Sequence, residues 1–369
     1  MSDELETKNK TNIKQIDFKN KKEIIFKEDF VDKKEVSNVM SANFSKISPY
    51  WFNFLSSWFF NAYKTFYDMD KYLIMINLIQ KSFEHYSDLF IVFSEEDFYS
   101  KGEFTIEKIN LTEIASELKM PKETVRRKIN EMIEGKILSR SEKRIFLTLD
   151  AFKLQKPKNS IKSISKFLSK CSSYLATEDW FGSPVSSEDI EQFTRKNFTV
   201  IWKFFFRFII PLNIRSRIFY GDLETGIIAM SVYTNHVLRL QSLHSTEPLK
   251  MNTSRVKEAT AIESSYLDFS KYLTNDKNDV LGINASSISE ITGIPRATVI
   301  RKLKTLQKLD LVSKDKKQLY KTGKLRKRKW QELEKNFVIN QLSLNKFIST
   351  FFDLFKNQHF IDRYSSKDL

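Results

Sequence analysis

The sequence predicts a mainly α-helical fold with two small β-hairpins, one in each of two related halves of the chain. Glycine and proline are scarce, with eight and seven copies in 369 residues, so turn-rich all-β folds and glycine-rich phosphate loops are disfavoured. Apolar residues recur at the spacing that is typical of amphipathic helices. A long segment also recurs within the chain, which indicates an internal duplication.

The repeat is found by shifting the sequence by 174 positions. Residues 111–148, here the first repeat, then match residues 285–322, here the second repeat, without a gap, and nine of the 38 aligned positions are identical. An aromatic segment precedes each repeat, at residues 50–67 and 198–214. The identical pairs are Ile114 and Ile288, Pro121 and Pro295, Thr124 and Thr298, Val125 and Val299, Arg127 and Arg301, Lys128 and Lys302, Ser139 and Ser313, Lys143 and Lys317, and Thr148 and Thr322; a shorter match aligns Asp68, Met69 and Asp70 with Asp222, Leu223 and Glu224.

This organisation predicts five segments along the chain. Residues 1–36 hold nine basic and nine acidic side chains with few large apolar groups, which is typical of a disordered, mixed-charge tail. The predicted segments are a disordered tail at 1–43, a first helical and hairpin unit at 44–152, a linker with a helical segment at 153–197, a second helical and hairpin unit at 198–329, and a C-terminal helical segment at 330–369.

Each repeat reads as two short helices followed by a hairpin. Thr112 is a good N-cap for the first helix, Lys119 and Met120 form the turn, and Pro121 suits the start of the second helix. In the second helix, one face is apolar and is predicted to be buried. The buried stripe is Val125, Ile129 and Met132, matched by Val299, Leu303 and Leu306; the opposite face carries Glu123, Arg126, Arg127 and Asn130, matched by Ala297, Ile300, Arg301 and Lys304.

A hairpin follows the second helix in both repeats. Gly135 ends the helix of the first repeat, and residues 137–139 and 145–149 are predicted to pair as strands around a charged turn. Residues 311–313 and 318–320 repeat this pattern, again with basic residues at the tip. Cations at such a tip suit a nearby phosphate backbone.

These residues carry a resemblance to a known class of protein. The strings EIASELKMPKETVRRKINEMIEGKILSR and ITGIPRATVIRKLKTLQKLDLVSK resemble the winged helix-turn-helix of bacterial transcription regulators, in the broad style of the MarR, IclR and Crp groups. The resemblance covers about a fifth of the chain. It implies a tandem winged helix-turn-helix regulator in which the second helix of each repeat enters the DNA major groove. Lys119 stands where such turns usually have glycine, and one chain holds two units where these regulators usually pair two chains.

The predicted DNA-binding surface combines the second helices, the hairpin tips and a basic cluster. Arg127 and Arg301 are the strongest candidates because both repeats keep them, and an arginine can bind guanine in bidentate fashion; alternatively they are only solvated or pair with acids such as Glu131. The threonines and serines either cap helices, touch phosphate, or do both. The candidate residues are Thr112, Lys122, Thr124, Arg126, Arg127, Asn130, Lys143, Arg144, Ser286, Arg296, Thr298, Arg301, Lys304, Lys316, Lys317, Arg326, Lys327 and Arg328.

Net charge points to the same partner. The formal charge is +15, and residues 314–329 hold nine basic side chains against Asp315 alone. Such one-sided clustering favours a polyanion. The alternative is that lysine is abundant because the coding sequence is AT-rich, which would also explain the abundance of Asn, Ile and Phe.

Three interpretations of the aromatic segments compete. They pack the two halves against each other, form an interface with another chain or with RNA polymerase, or line a pocket for a small-molecule effector. Aromatic residues at helical spacing are usually core. The run at 330–355 predicts a further amphipathic helix.

Other function classes find little support in the sequence. No nucleotide-binding, hydrolase or metal-ligand motif is present, so we expect neither an enzyme nor a cofactor or metal. Charged residues interrupt the aromatic segments, which argues against a membrane span, and the single cysteine, Cys171, with no apolar leader favours a cytoplasmic, nucleoid-associated protein. Besides transcription regulation, a tandem winged-helix replication initiator and a protein-interaction module remain open.

Overall fold

The computed structural model describes residues 32–100, 104–106, 110–141, 144–148, 158–176, 182–243, 262, 282–323 and 327–358. Within these ranges the protein is mainly helical, with two small antiparallel sheets, as the sequence predicts. The helices are α1 (Lys33–Ala42), α2 (Phe44–Phe66), α3 (Met69–Asp88), α4 (Glu95–Ser100), α5 (Leu111–Glu117), α6 (Lys122–Glu134), α7 (Lys158–Leu175), α8 (Ser187–Lys196), α9 (Phe198–Tyr220), α10 (Leu223–Leu243), α11 (Ala285–Thr292), α12 (Arg296–Lys308) and α13 (Lys327–Lys356). The strands are β1 (Phe104–Ile106), β2 (Leu138–Ser141), β3 (Arg144–Leu147), β4 (Val312–Lys314) and β5 (Tyr320–Thr322).

The two halves of the chain exchange their aromatic helices. The aromatic helix of the first half, α2, packs extensively against α10 of the second half and equally against α7, and α9 packs most extensively against α3 of the first half. A buried hydrogen bond of 2.6 Å joins the hydroxyls of Ser56 on α2 and Thr234 on α10. Each aromatic helix therefore has an extensive contact with the apolar helix of the other half.

Aromatic rings fill the space between α2 and α9. The ring centroids of Trp58 and Phe205 lie 4.9 Å apart in an edge-to-face arrangement, and those of Trp51 and Phe208 lie 5.4 Å apart. One continuous hydrophobic core contains residues of both halves. Of the three interpretations of the aromatic segments, packing of the two halves against each other is thus the arrangement in the structure.

Four further helices complete this core, and one predicted boundary is wrong because of them. Residues 33–42, assigned to a disordered tail, form α1, which packs on α13 and α7. Residues 153–197, predicted as a linker with a helical segment, contain two helices, α7 and α8, which pack on each other, while α7 also packs on α2. Their serine- and lysine-rich sequences hide an apolar stripe, and Ile161, Phe167 and Leu168 are fully buried. Residues 1–31 lie outside the described ranges.

An equivalent ion pair, between a buried lysine and a partly exposed aspartate, attaches each repeat to the helical core. In the first half, Lys128 on α6 lies 2.7 Å from the carboxylate of Asp68, which caps α3. In the second half, Lys302 on α12 lies 2.6 Å from the carboxylate of Asp222, which precedes α10. Both lysines are 8% exposed. The sequence comparison already aligns Lys128 with Lys302 and Asp68 with Asp222. The structure explains why these residues are identical, since the lysine and the aspartate form an ion pair in both halves.

Backbone conformation repeats as well. Left-handed residues occur at equivalent positions of the two halves: after the aromatic helix, in the turn between the two short helices, and before the hairpin. The pairs are Tyr67 (φ 51°) and Gly221 (φ 86°), Lys119 (φ 51°) and Gly293 (φ 78°), and Lys136 (φ 58°) and Asp310 (φ 56°). Since left-handed conformations are uncommon outside glycine, this agreement shows that the two halves follow the same path.

Removing the charge of Asp222 should destabilise the protein without removing its helix cap. Asp222→Asn keeps an oxygen that can accept from the backbone N–H of Thr225 but leaves the buried ammonium of Lys302 without an ionic partner. We expect the free energy of unfolding at neutral pH to fall by about 1–3 kcal/mol, as measured by urea denaturation. Asp68→Asn should cost less, because Lys128 keeps Glu131 as an ionic partner at 3.1 Å.

The double variant Asp222→Asn/Lys302→Met should recover part of the loss, since the unpaired buried charge is then gone. Lys304→Met, at an exposed position of the same helix, is the control and should change little. Burial alone would raise the pKa of Asp222, but the hydrogen bonds from Lys302 and Thr225 lower it below its ordinary value. The stabilisation is therefore present above about pH 4 and is lost as pH falls through the lowered pKa. Equal stability of Asp222→Asn and wild type would contradict this role.

Candidate functional site

The first repeat folds as two helices joined by a tight turn. Asn110 caps α5, because its side-chain oxygen accepts from the backbone N–H of Thr112 at 3.0 Å. The prediction that Thr112 is the cap is therefore wrong; its side chain is exposed two residues further along the helix. No side chain caps α6, which follows Pro121 directly, so Thr124 is not a cap either.

The second repeat has the same construction. Asn284 caps α11 by accepting from the backbone N–H of Ser287 at 2.8 Å, and α12 follows Pro295 with no side-chain cap. The predicted capping roles of Ser286 and Thr298 are wrong for the same reasons as in the first repeat. An asparagine two residues before Ser286 caps α11, and α12, which holds Thr298, has no side-chain cap. Ser286 instead accepts a hydrogen bond of 3.0 Å from Arg296.

The exposed face of α6 is largely neutralised by its own acids. Arg126 forms an ion pair with Glu123, and Arg127 lies 3.2 Å from Glu131. Glu131 also pairs with Lys71 of α3 at 2.9 Å. Lys122 is exposed and Asn130 is half-buried at the edge of the same face. The alternative in which Arg127 pairs with Glu131 is thus the arrangement in the structure, although its side chain remains 62% exposed.

The exposed face of α12 carries positive charge alone. This helix has five basic residues and no acid, whereas α6 has four basic residues and three acids. Arg296, Arg301 and Lys304 are exposed, and neither Arg301 nor Lys304 forms an ion pair within the described ranges. Ile300 is half-buried beside them. The second repeat is therefore the stronger site for an anion.

Both predicted hairpins form, although the strand predicted at 318–320 lies at Tyr320–Thr322, and the two hairpins differ in register by one residue. Leu138 pairs with Leu147 in the first hairpin, whereas Val312 pairs with Thr322 in the second. The ungapped alignment is therefore wrong beyond the hairpin turn, since Thr148 is not the structural equivalent of Thr322. A solvent-exposed turn accepts one added residue at little cost.

A further strand precedes the helices in each repeat, and the sequence did not reveal it. The strand β1 pairs with β3 and opposes Ile106 to Ile145. In the second half, Ile283 forms an isolated bridge to Tyr320. Strands of one to three residues have too little periodicity to be recognised.

The basic candidates of the hairpins and the cluster at 314–329 are only partly described. Lys316 and Lys317 are exposed at the tip of the second hairpin. Lys143 and Arg326 lie outside the described ranges. The backbones of Arg144, Lys327 and Arg328 are described, in β3 and at the start of α13, but their side chains are not.

Other chemistry was also sought at the surface and in the core. Among the described residues, no group of three or more His, Cys, Asp or Glu side chains could hold a metal ion. The thiol of Cys171 is fully buried on α7, and burial raises its pKa. Within the same ranges, every helix is too short or too polar to cross a membrane.

The turn of each repeat contacts the aromatic helix of the other half. Arg217 of α9 hydrogen-bonds the carbonyl of Lys119 at 3.4 Å, and Gly293 lies against the side chain of Lys64 of α2. The exchanged helices thereby fix both turns and, through them, the exposed faces of α6 and α12.

Replacing Lys119 by glycine should stabilise the protein. Lys119 is left-handed at φ 51°, a conformation that costs a side-chain-bearing residue about 1 kcal/mol. We therefore expect Lys119→Gly to raise the free energy of unfolding by about 1 kcal/mol, which is measured as a higher urea midpoint.

The matched control is Gly293→Ala, which should lower the urea midpoint. Its backbone is left-handed, and an added Cβ would lie 3.0 Å from Cγ of Lys64. A lower midpoint for Lys119→Gly would show that the lysine makes a compensating contact.

No protein-family model matches this chain, and comparison with curated proteins and with solved structures finds no significant match. The repeated geometry of the chain itself is therefore the observation from which a function is inferred.

Proposed function

We propose that this protein is a sequence-specific, double-stranded DNA-binding transcription regulator that uses two non-identical winged helix-turn-helix units as an intramolecular pseudo-dimer. The observation that carries the proposal is the repeated arrangement of two short helices and a hairpin, anchored twice by the same Lys–Asp ion pair. In each repeat, the second helix has a buried apolar face and an exposed face with a basic residue at the same position, Arg127 or Arg301.

The exposed helix faces suit the DNA major groove. An arginine there can donate two hydrogen bonds to the edge of a guanine, and Arg301 forms no ion pair within the described ranges that would have to be broken first. Arg127 must break its ion pair with Glu131 before it can bind a base, and this reduces the net gain in binding free energy. The second repeat is thus expected to supply more of the affinity.

The two faces differ in chemistry, so a symmetric operator is not expected. Two identical subunits would require a palindrome. In this chain α6 offers Arg126, Arg127 and Asn130, whereas α12 offers Arg301, Lys304 and the apolar surface of Ile300, which suits a thymine methyl. We therefore infer an asymmetric site whose halves share one base pair and differ beside it.

Selection of bound sites from random double-stranded DNA, followed by substitution of the two arginines, tests this inference. Arg301→Ala should weaken binding by about 1–3 kcal/mol and relax preference in one half-site only. Arg127→Ala should relax preference in the other half-site, with a smaller loss of affinity because of Glu131. Binding is measured by titration of labelled DNA at fixed salt.

Lys166→Ala, at an exposed position of α7, is the control and should change neither affinity nor preference. Equal weakening on all sequences would make the arginines phosphate contacts. A perfectly palindromic site would mean that two chains use the same repeat, and no DNA binding at low salt would favour a protein-interaction module. Binding to an array of sites at an origin would favour a replication initiator.

Affinity should also fall steeply with salt. The cluster at 314–329 holds nine basic residues and runs into the N-terminus of α13, where the helix dipole adds positive potential. Replacing Arg326, Lys327, Arg328 and Lys329 together by glutamine should flatten the slope of log K against log salt by up to a few units, at about 0.9 per lost phosphate contact.

The control variant replaces four exposed lysines of α1 and α7, namely Lys33, Lys34, Lys162 and Lys166. It loses the same charge away from the repeats, so its slope should change little. Equal slopes for wild type and the cluster variant would show that the cluster does not contact DNA.

A further inference from the structure

A cavity of about 190 Å³ lies between the exchanged helices. It is lined by α2, α9, α10 and α13 and by Thr322 of the second hairpin. Most of its wall is apolar, with Trp51, Phe208 and Leu344 among the contributing side chains. Apolar cavities of about 150 Å³ suffice for a benzene-sized ligand, so the space can hold a small hydrophobic molecule.

One side of this cavity carries an incompletely satisfied cation. Arg215 of α9 is the only charged residue among those that line the cavity. Its Nε donates to the side-chain oxygen of Asn340 at 2.7 Å, but its buried Nη2 finds no acceptor among the described residues. Burial lowers the pKa of Arg215, yet a guanidinium stays charged in proteins.

A buried donor without an acceptor costs free energy, and more so when it is charged. A carboxylate suits Arg215 because it accepts from two guanidinium nitrogens at once and balances the charge. Tyr220, Asn336 and Gln341 also line the cavity and supply polar atoms near it, while no acid among the lining residues repels an anion. The remaining wall favours an apolar body.

We propose that this cavity binds a small hydrophobic monocarboxylate, with its carboxylate on Arg215 and its apolar chain among the aromatic side chains of α2 and α9.

The cavity also touches the second hairpin. Thr322 lines it, and the Thr322 hydroxyl lies 3.2 Å from Nδ1 of His236 on α10. Tyr233, another lining residue, donates to the carbonyl of Leu311 at 3.4 Å. A ligand in the cavity therefore affects the position of the hairpin and of α12, and so regulates DNA affinity. This regulatory consequence rests on the proposed function, whereas binding of the ligand to the cavity does not.

Calorimetric titration of the full-length protein with octanoate, octanol and octylamine tests the binding site without DNA. We expect octanoate to bind about tenfold to a hundredfold more tightly than octanol, since it adds a charged hydrogen-bond partner, and octylamine to bind most weakly. Absence of octanoate binding, or equal affinity for octanoate and octanol, would overturn the proposal.

Arg215→Gln should remove the preference for octanoate while keeping the affinity for octanol, which shows in the same variant that the cavity is intact. Arg239→Gln, an equal loss of charge at an exposed position of α10, should retain the full preference. Ser216→Leu fills the cavity from α9 and should weaken both ligands. Retained preference in Arg215→Gln would place the carboxylate elsewhere and overturn the assignment.

The regulatory consequence is tested separately, on DNA selected by the wild-type protein. Octanoate should shift the affinity for this DNA in wild type and not in Arg215→Gln. Calorimetric binding without a shift in DNA affinity would overturn the regulatory consequence and leave the binding site standing. Failure of the protein to bind any DNA would overturn the proposed function alone.

Discussion

Burial of the aromatic helices against the opposite half is the constraint on which the rest of the structure depends. The faces of α2 and α9 are too wide and too apolar for either half to cover by itself, and rings such as Phe54 and Phe205 are at most 1% exposed only because both halves contribute. The halves therefore cannot separate without exposing a large aromatic surface, at about 25 cal/mol for each Å² of apolar area.

This exchange also decides where the repeats sit. Each pair of short helices is held by an ion pair to its own half, through Lys128 or Lys302, and by its turn to the aromatic helix of the other half, through Lys119 or Gly293. The exposed faces of α6 and α12 consequently depend on the whole core. The proposed coupling between the cavity and the second hairpin rests on the same arrangement, because the cavity lies where α2, α9 and α10 meet and Thr322 lines it.

Charge distinguishes the two repeats more than shape does. The two repeats share left-handed residues at equivalent positions. In α6, however, Glu123 and Glu131 form ion pairs with arginines of the same helix, whereas α12 contains no acidic residue. Two units with similar backbones and unequal charge suit a binding partner that is itself asymmetric. In the proposed function the second repeat anchors the protein, and the first repeat contributes discrimination with less net attraction.

The sequence by itself determined the helical class, the duplication, the two-helix-and-hairpin order of each repeat and the solvent-facing side of α6 and α12. The duplication follows from comparing the sequence with itself, and the other features follow from periodicity and from chemistry between residues within a few turns of each other. Only the tertiary structure decided that Asn110 and Asn284 cap the first helices, that Lys128 and Lys302 are buried, and that α1, α7 and α8 belong to the core. The aspartate that pairs with Lys128 lies 60 positions away in the chain and that of Lys302 lies 80 positions away, and several apolar faces of similar character could have covered α2. Which of those faces covers α2 depends on how the large aromatic rings pack against each other, and this packing cannot be read from a local sequence pattern.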